Sequence, residues 1–380
     1  MSLQSPVVAT YGSSDPATAL VVLLHGRGSD EEEILGLARG LPPGPSYAAV
    51  RAPIREGGGF AWFANRGIGR PVAASLRTTM EWFREWLDAQ APAGRPVVVI
   101  GFSGGAAFAG GLVLDDPTRY AAAGLLHGTL PFDAGVPVTP ARLAGLPVFL
   151  ARSPDDIVIP RDLLSRTWDY LTGESGAPAY ALQEAGGHGI SASTVAHLGS
   201  WLAQRLAFLA SHPPDAGRER AWVDMPAGVL PERRGDRPSV STNTPQEQLT
   251  QQATGPLQER LYTRVLDLPG VQPRPSAISV PGARAFALAV SDGPPEAFIV
   301  PQVGEFAHLH PEYDGSLHLT LPLPLAAELI GKGWGVAHPL AGLRVSLGMV
   351  MVFGPRNDEE LQVVSAIVAT SHAWARGTAD

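Results

Sequence analysis

Apolar runs alternate with amphipathic stretches over the first 210 residues of the chain, with a period of roughly one strand and one helix. Ala19–Leu24, Val97–Ile100 and Pro147–Ala151 are short and almost wholly apolar, with Val97–Ile100 β-branched throughout, the pattern of strands covered on both faces. Met80–Gln90 and Val195–Leu209 carry apolar residues at helical spacing. Strand-helix alternation of this kind predicts a mostly parallel sheet with helices on both faces. From His212 to about Gln248 the periodicity stops and Pro, Arg, Asp, Ser and Thr take over, so this stretch reads as a linker or long surface loop. Beyond it Ala285–Val290, Ala297–Val300, Leu317–Leu321 and Met349–Phe353 are strand-like, and Pro324–Lys332 and Asp358–Ala375 are helix-like. Asn357 with Glu360 three residues on forms a capping-box start for the last helix. The pattern predicts two domains, 1–212 of α/β type and 213–380 of smaller α+β type, the latter with an irregular start over about 213–248.

The run Val97–Leu114, VVVIGFSGGAAFAGGLVL, carries no charge, yet it is too rich in Ala, Gly and Ser for a membrane span. It breaks instead into a strand, the group Gly101-Phe102-Ser103-Gly104-Gly105, and a small-residue helix. That G-x-S-x-G arrangement presents a serine on a sharp strand-to-helix turn. Chance alone would supply about 0.3 copies at this composition, so the context has to carry it. A serine nucleophile needs a base, and the base needs a carboxylate. Downstream, Pro147–Ala151 runs into Arg152-Ser153-Pro154-Asp155-Asp156, which offers two acids beyond a strand's carboxyl end. Gly186-Gly187-His188-Gly189 then places a histidine in a glycine-rich loop before the last helix of this half. His197 falls within a helical pattern and reads as a surface residue, while His127 is a candidate pocket residue. Leu23-Leu24-His25-Gly26-Arg27-Gly28 follows a strand and can supply the Arg27 amide, with that of Gly104, as an oxyanion hole.

LLHGRGSDEEEILGLA, GFSGG, DDIVIP and GGHGI together resemble the phospholipase/carboxylesterase branch of the α/β-hydrolases over roughly residues 15–208. The resemblance selects Asp156, four residues before Pro160, over Asp155, and implies a triad of Ser103, Asp156 and His188. It also places Trp62 and Phe63 near an acyl pocket. Where the family often has Gln after the nucleophile, this chain has Gly104. The activity implied is hydrolysis of a small ester, thioester or lactone without a cofactor.

Charge and composition narrow the partners. A formal net charge of -8 offers no basic footprint for nucleic acid or anionic lipid, and the absence of cysteine removes thiolate metal sites and thiol nucleophiles. MSLQSPVVATYG has neither a basic start nor a long apolar core, so no signal peptide and a cytoplasmic location, without membrane attachment, are expected.

Four of the ten histidines lie between His308 and His338. In an extended segment His308 and His310 point to one side. With His318 or His338 they form a candidate divalent-metal site of cupin type, and an imidazole backed by Asp314 is equally a candidate general base. GDRPS, HLHPEYDGSLHL, KGWGVAHPLAG and GPRNDEELQVVSAIVATS resemble the fungal luciferase domain over about Ala221 to Arg376, which returns part of the linker-like stretch to this domain. The resemblance implies oxidation of an enol or hydroxypyrone by O2, with no flavin or haem, and carries over His308, His310, Asp314, His318, His338 and Arg356 by position. The reading that follows is a bifunctional enzyme, with two alternatives: an esterase whose C-terminal half only binds substrate, and a C-terminal metal-dependent dioxygenase holding its ion at His308, His310 and His318.

Overall fold

The computed structural model describes residues 3–92, 94–211, 222–225 and 228–377. The chain divides into two compact units, Met1–Ser175 with Tyr180–Pro213, and Gly176–Ala179 with Pro214–Asp380.

The first unit contains β1 (Val8–Gly12), β2 (Leu20–Leu24), β3 (Ser46–Val50), the hairpin of β4 (Ile54–Glu56) and β5 (Gly59–Ala61), β6 (Val97–Phe102), β7 (Ala122–Leu126), β8 (Val148–Arg152) and β9 (Ala179–Gln183). Its helices are α1 (Glu31–Leu35), α2 (Ala73–Gln90), α3 (Gly104–Asp115), α4 (Arg161–Asp169) and α5 (Ala192–Ser211). Seven strands form one sheet in the order β1-β3-β2-β6-β7-β8-β9. The β3-β2-β6-β7-β8 run is parallel, and β1 joins β3 antiparallel. All five residues of β2 and of β7 are buried, which is why they read as unbroken apolar runs instead of alternating ones. The mostly parallel sheet agrees with the α/β-hydrolase expectation. Helix α2 begins at Ala73, seven residues before its predicted start, with Leu76 and Thr79 already buried on either side of the exposed Arg77 and Thr78.

The second unit contains β10 (Val271–Pro275), β11 (Arg284–Leu288), β12 (Glu305–Leu309), β13 (Leu317–Thr320), β14 (Gly335–Ala337) and β15 (Met349–Val352), with α6 (Gly255–Leu266), α7 (Leu323–Gly331) and α8 (Asp358–Arg376). Its six strands pair antiparallel throughout, in the order β10-β11-β12-β13-β15-β14. Helices α6 and α8 pack on each other, and α8 also lies against β12 and β13. Asn357 caps α8 by accepting from the Glu360 amide at 2.9 Å, while the Glu360 carboxylate returns to the Arg356 amide and not to that of Asn357.

Two sequence expectations fail here. Ala297–Val300 is not a strand: Pro294, Pro295 and Pro301 remove the amides a ladder would need, and Pro295–Ala297 turns as a short 3-10 segment. The stretch read as a linker is irregular but not free. Residues 212–221 and 226–227 of it lie outside the described residues. Beyond them, Trp222 is buried with its indole N–H on Glu328 at 2.8 Å, and Leu230, Gln246 and Gln248 are buried as well. Side chains make the hydrogen bonds that a periodic backbone would otherwise make: the Gln248 amide oxygen accepts from Gly354 N–H at 2.9 Å. No helix among the described residues is long and apolar enough to cross a membrane.

Candidate functional site

Ser103 stands between β6 and α3 with φ 53° and ψ -114°, a backbone state that costs a non-glycine residue energy and aims its side chain out of the turn. The flanking glycines make the turn possible by contact, not by flexibility. A methyl on Gly101 would stand 2.2 Å from the Gly105 carbonyl oxygen, and one on Gly105 would stand 2.1 Å from that of Leu24.

The loop after β8 brings Asp156 to the same place. Its Oδ1 accepts from the Val158 and Ile159 amides at 2.8 and 3.0 Å, and its Oδ2 accepts from His188 Nδ1 at 2.8 Å. Burial alone would raise this carboxyl; the His188 bond and the two amides outweigh it and hold it below its ordinary value, so it is ionised. An ionised Asp156 requires the His188 proton on Nδ1, which leaves Nε2 as an acceptor 2.8 Å from Ser103 Oγ. Asp155 is exposed and takes no part. Ser153 is buried, and its hydroxyl accepts both the Asp155 and the Gly187 amides, joining the acid-bearing loop to the base-bearing loop. Nothing in the sequence pattern singled out Ser153.

The oxyanion candidates also converge. A methyl on Gly104 would lie 3.3 Å from the Arg27 nitrogen, so the Arg27 backbone runs against the residue that follows Ser103. The Arg27 guanidinium is held by Glu56 and by the Phe63 carbonyl. Trp62 lies in the core, stacked on Phe108 at 4.5 Å, with its indole N–H on the His25 carbonyl at 2.8 Å. It therefore braces the His25-Gly26-Arg27 turn, and Phe63, also buried, contributes its carbonyl to the same turn. His127 is buried with φ 47°, and neither of its ring nitrogens has a hydrogen-bond partner among the described residues. Burial and the neighbouring His188 keep it below its ordinary pKa, hence neutral.

In the second unit, antiparallel pairing sets His308 directly opposite His318, and His310 follows two residues along the same side. His308 Nε2 and His310 Nε2 both lie 3.1 Å from His318 Nδ1. Behind them, His308 Nδ1 bonds Glu305 Oε1 at 2.8 Å and His310 Nδ1 bonds Asp314 Oδ2 at 2.5 Å. His318 Nε2 bonds the Gln246 side-chain oxygen at 3.1 Å, an orientation set by the Gln246 amide donating to the Ala337 carbonyl. The His338 ring stands edge-on to that of His318, centroids 4.9 Å apart, and its Nδ1 accepts from the Leu340 amide. Arg356 is not brought to this cluster: its partners are Glu360, Gln251 and the Arg234 carbonyl. Sequence reasoning missed Glu305 and Gln246. The first is hidden because β12 carries one extra residue against β11, which breaks the alternation and lets positions three apart meet. The second lay in the stretch read as a linker.

A serine, a histidine and a carboxylate, joined in that order, stand on a mostly parallel sheet of the α/β-hydrolase fold. The chain belongs to the phospholipase/carboxylesterase family, whose model matches residues 6–204, and it carries a luciferase domain matched over residues 303–371. A luciferase of Armillaria gallica is 31% identical over 224 residues, covering 53% of this chain and 79% of that protein. The putative hydrolase MhqD of Bacillus subtilis (strain 168) is 26% identical over 200 residues, covering 51% of this chain and 96% of that protein. The crystal structure of a Bacillus cereus carboxylesterase is similar at TM-score 0.47 and 24% identity, covering 52% of this chain and 94% of that one.

Proposed function

We propose that the chain is a two-site enzyme whose first unit hydrolyses a small ester, thioester or lactone at Ser103. The observation that carries this reading is the unbroken chain from Asp156 through His188 to Ser103, with 2.8 Å at each link. Ser103 Oγ attacks the acyl carbon as His188 Nε2 takes its proton, and Asp156 stabilises the imidazolium. The Arg27 and Gly104 amides receive the negative charge that develops on the carbonyl oxygen. The tetrahedral intermediate then collapses with cleavage of the bond to the leaving alcohol or thiol, which takes the proton from His188 Nε2. Water, deprotonated by His188 in turn, attacks the acyl-Ser103 ester, releasing the acid and returning the proton to Ser103. Turnover of p-nitrophenyl acetate and butyrate tests this: Ser103→Ala is expected to lose on the order of a thousandfold or more in kcat. Retention of most activity would overturn the assignment.

The second unit, in this reading, oxidises an enol or hydroxypyrone with O2. The support is that the luciferase-domain match spans His308, His310, Asp314, His318 and His338, four of which share one hydrogen-bonded, buried cluster. Oxygen uptake with candidate hydroxypyrones, measured in the Ser103→Ala protein, separates this from ester cleavage. Uptake no faster than the enzyme-free rate sinks the oxidation and leaves this unit as a substrate-binding module.

A further inference from the structure

The proton count of the histidine cluster does not close with the protein's own atoms. Glu305 accepts from His308 Nδ1, from the Ser276 hydroxyl at 2.8 Å and from the Ala277 amide at 2.9 Å. Asp314 accepts from His310 Nδ1 and from the Ser316 amide at 3.0 Å. Each carboxyl group thus faces N–H and O–H donors, which sets the protons of His308 and His310 on Nδ1. Both carboxyl groups are buried, and no lysine or arginine pairs with either among the described residues. With each Nδ1 proton committed to a carboxylate, His308 and His310 turn bare Nε2 lone pairs toward His318. There Nε2–H is committed to Gln246, so Nδ1 is bare too. Three lone pairs meet at one point with no proton between them.

Extra protons cure this only in part. Protonating His308 and His310 aims two N–H groups at the single lone pair of His318 Nδ1, and protonating His318 there leaves one N–H shared between two acceptors. A divalent cation satisfies all three nitrogens together. We propose that His308 Nε2, His310 Nε2 and His318 Nδ1 bind one divalent first-row transition-metal ion, with Glu305, Asp314 and Gln246 fixing the tautomers from behind. All three nitrogens lie within 4.8 Å of one another. At a metal–nitrogen distance of about 2.1 Å, the 3.1 Å separations correspond to angles of roughly 95°, between octahedral and tetrahedral. Imidazole donors suit iron, cobalt, nickel, copper or zinc and disfavour magnesium and calcium. Carboxylates behind ligating histidines are the usual means of orienting them. His338 stands outside the ligand set, because its Nδ1 is occupied by the Leu340 amide and its proton is on Nε2. The ion deepens the oxidation reading by naming the centre of that site, while its evidence is geometric and independent of any turnover.

The test uses the full chain, stripped with chelator and titrated with Co2+ alone, then with Zn2+ and with Fe2+ under anaerobic conditions. One equivalent per chain is expected, with visible Co2+ ligand-field bands and a rise in the thermal midpoint. His310→Asn and His318→Asn should abolish the bands, and Glu305→Gln should weaken binding about ten- to a hundredfold. Circular dichroism and Ser103-dependent ester turnover report that each variant is folded. Substoichiometric uptake by the wild type, or equal uptake by wild type and ligand variants, overturns the site. If a ligand variant fails to fold, X-ray absorption of the wild-type Co2+ complex decides: an imidazole-nitrogen shell supports the proposal, and an oxygen-only shell overturns it. Metal bound without oxygen uptake leaves the site standing and removes the oxidation reading; oxygen uptake by the metal-free protein does the reverse.

Discussion

Replacing Asp156 by Asn separates a triad from a mere contact, because the hydrogen-bond pattern dictates what the amide must do. Asp156 accepts from two backbone amides through Oδ1 and from one imidazole N–H through Oδ2. An asparagine has one acceptor oxygen and one donor NH2. With the oxygen toward Val158 and Ile159, two bonds of about 1 kcal/mol each survive; the opposite orientation sets NH2 against two N–H donors. The NH2 group therefore faces His188 Nδ1, which must give up its proton and carry it on Nε2. There it points at Ser103 Oγ, 2.8 Å away, and the base can no longer accept.

The expected loss in kcat is a thousand- to ten-thousandfold, about 4–5.5 kcal/mol of transition-state stabilisation. KM should change little, since Asp156 is buried behind the histidine. Active-site-titrated turnover of p-nitrophenyl butyrate measures both. Asp155→Asn is the control, and because that carboxylate is exposed its rate should stay within about twofold. A loss below tenfold for Asp156→Asn in a folded protein, or equal losses for both variants, would refute the tautomer argument.

Three further outcomes follow from the same contacts. Ser103→Gly should be inactive yet more stable than Ser103→Ala by about 1 kcal/mol, seen as a higher thermal midpoint, because glycine adopts φ 53° and ψ -114° without strain. Gly105→Ala should cost about 3 kcal/mol or more in denaturant titration and abolish ester turnover, since its methyl would sit 2.1 Å from the Leu24 carbonyl and 2.6 Å from that of His25. His25 is fully buried, and burial holds its pKa below 6.5 in the folded state despite its bond to the Gly26 carbonyl. A base depressed in the folded state contributes stability that is present above the unfolded pKa and lost as pH falls below 6.5 toward the folded value. Urea midpoints should thus fall on acidification from about pH 7 to pH 5.5, by up to roughly 1.4 kcal/mol per unit, with a shallower slope in His25→Gln.

The first unit was legible where one residue type serves one physical demand. Buried parallel strands must be apolar throughout, so β2, β6 and β8 announced themselves, and the crowding at Gly101 and Gly105 leaves no alternative to glycine. Strand β7, Ala-Ala-Gly-Leu-Leu, is just as buried but carries no β-branched residue, and the pattern did not mark it as a strand. Ser153 was illegible for a different reason. A hydroxyl that ties two loops together leaves no periodic trace. In the second unit the segment that holds Gln246 has neither helix nor strand, so composition alone marked it as linker. Its fixing contacts are side-chain hydrogen bonds to residues such as Ala337 and Gly354, about a hundred positions away, which no local pattern encodes.

Both clusters depend on the same second layer of bonds. A histidine in a sequence has two equivalent nitrogens, and only its neighbours decide which one is bare. In the first unit one carboxylate fixes one imidazole, its bare nitrogen meets a hydroxyl, and a proton can pass between them. In the second unit two carboxylates and one amide fix three imidazoles, and the bare nitrogens meet only each other. The first arrangement is complete with the protein's own atoms and suits proton transfer. The second has three acceptors and no donor at its centre, and that arrangement is what the proposed metal site rests on.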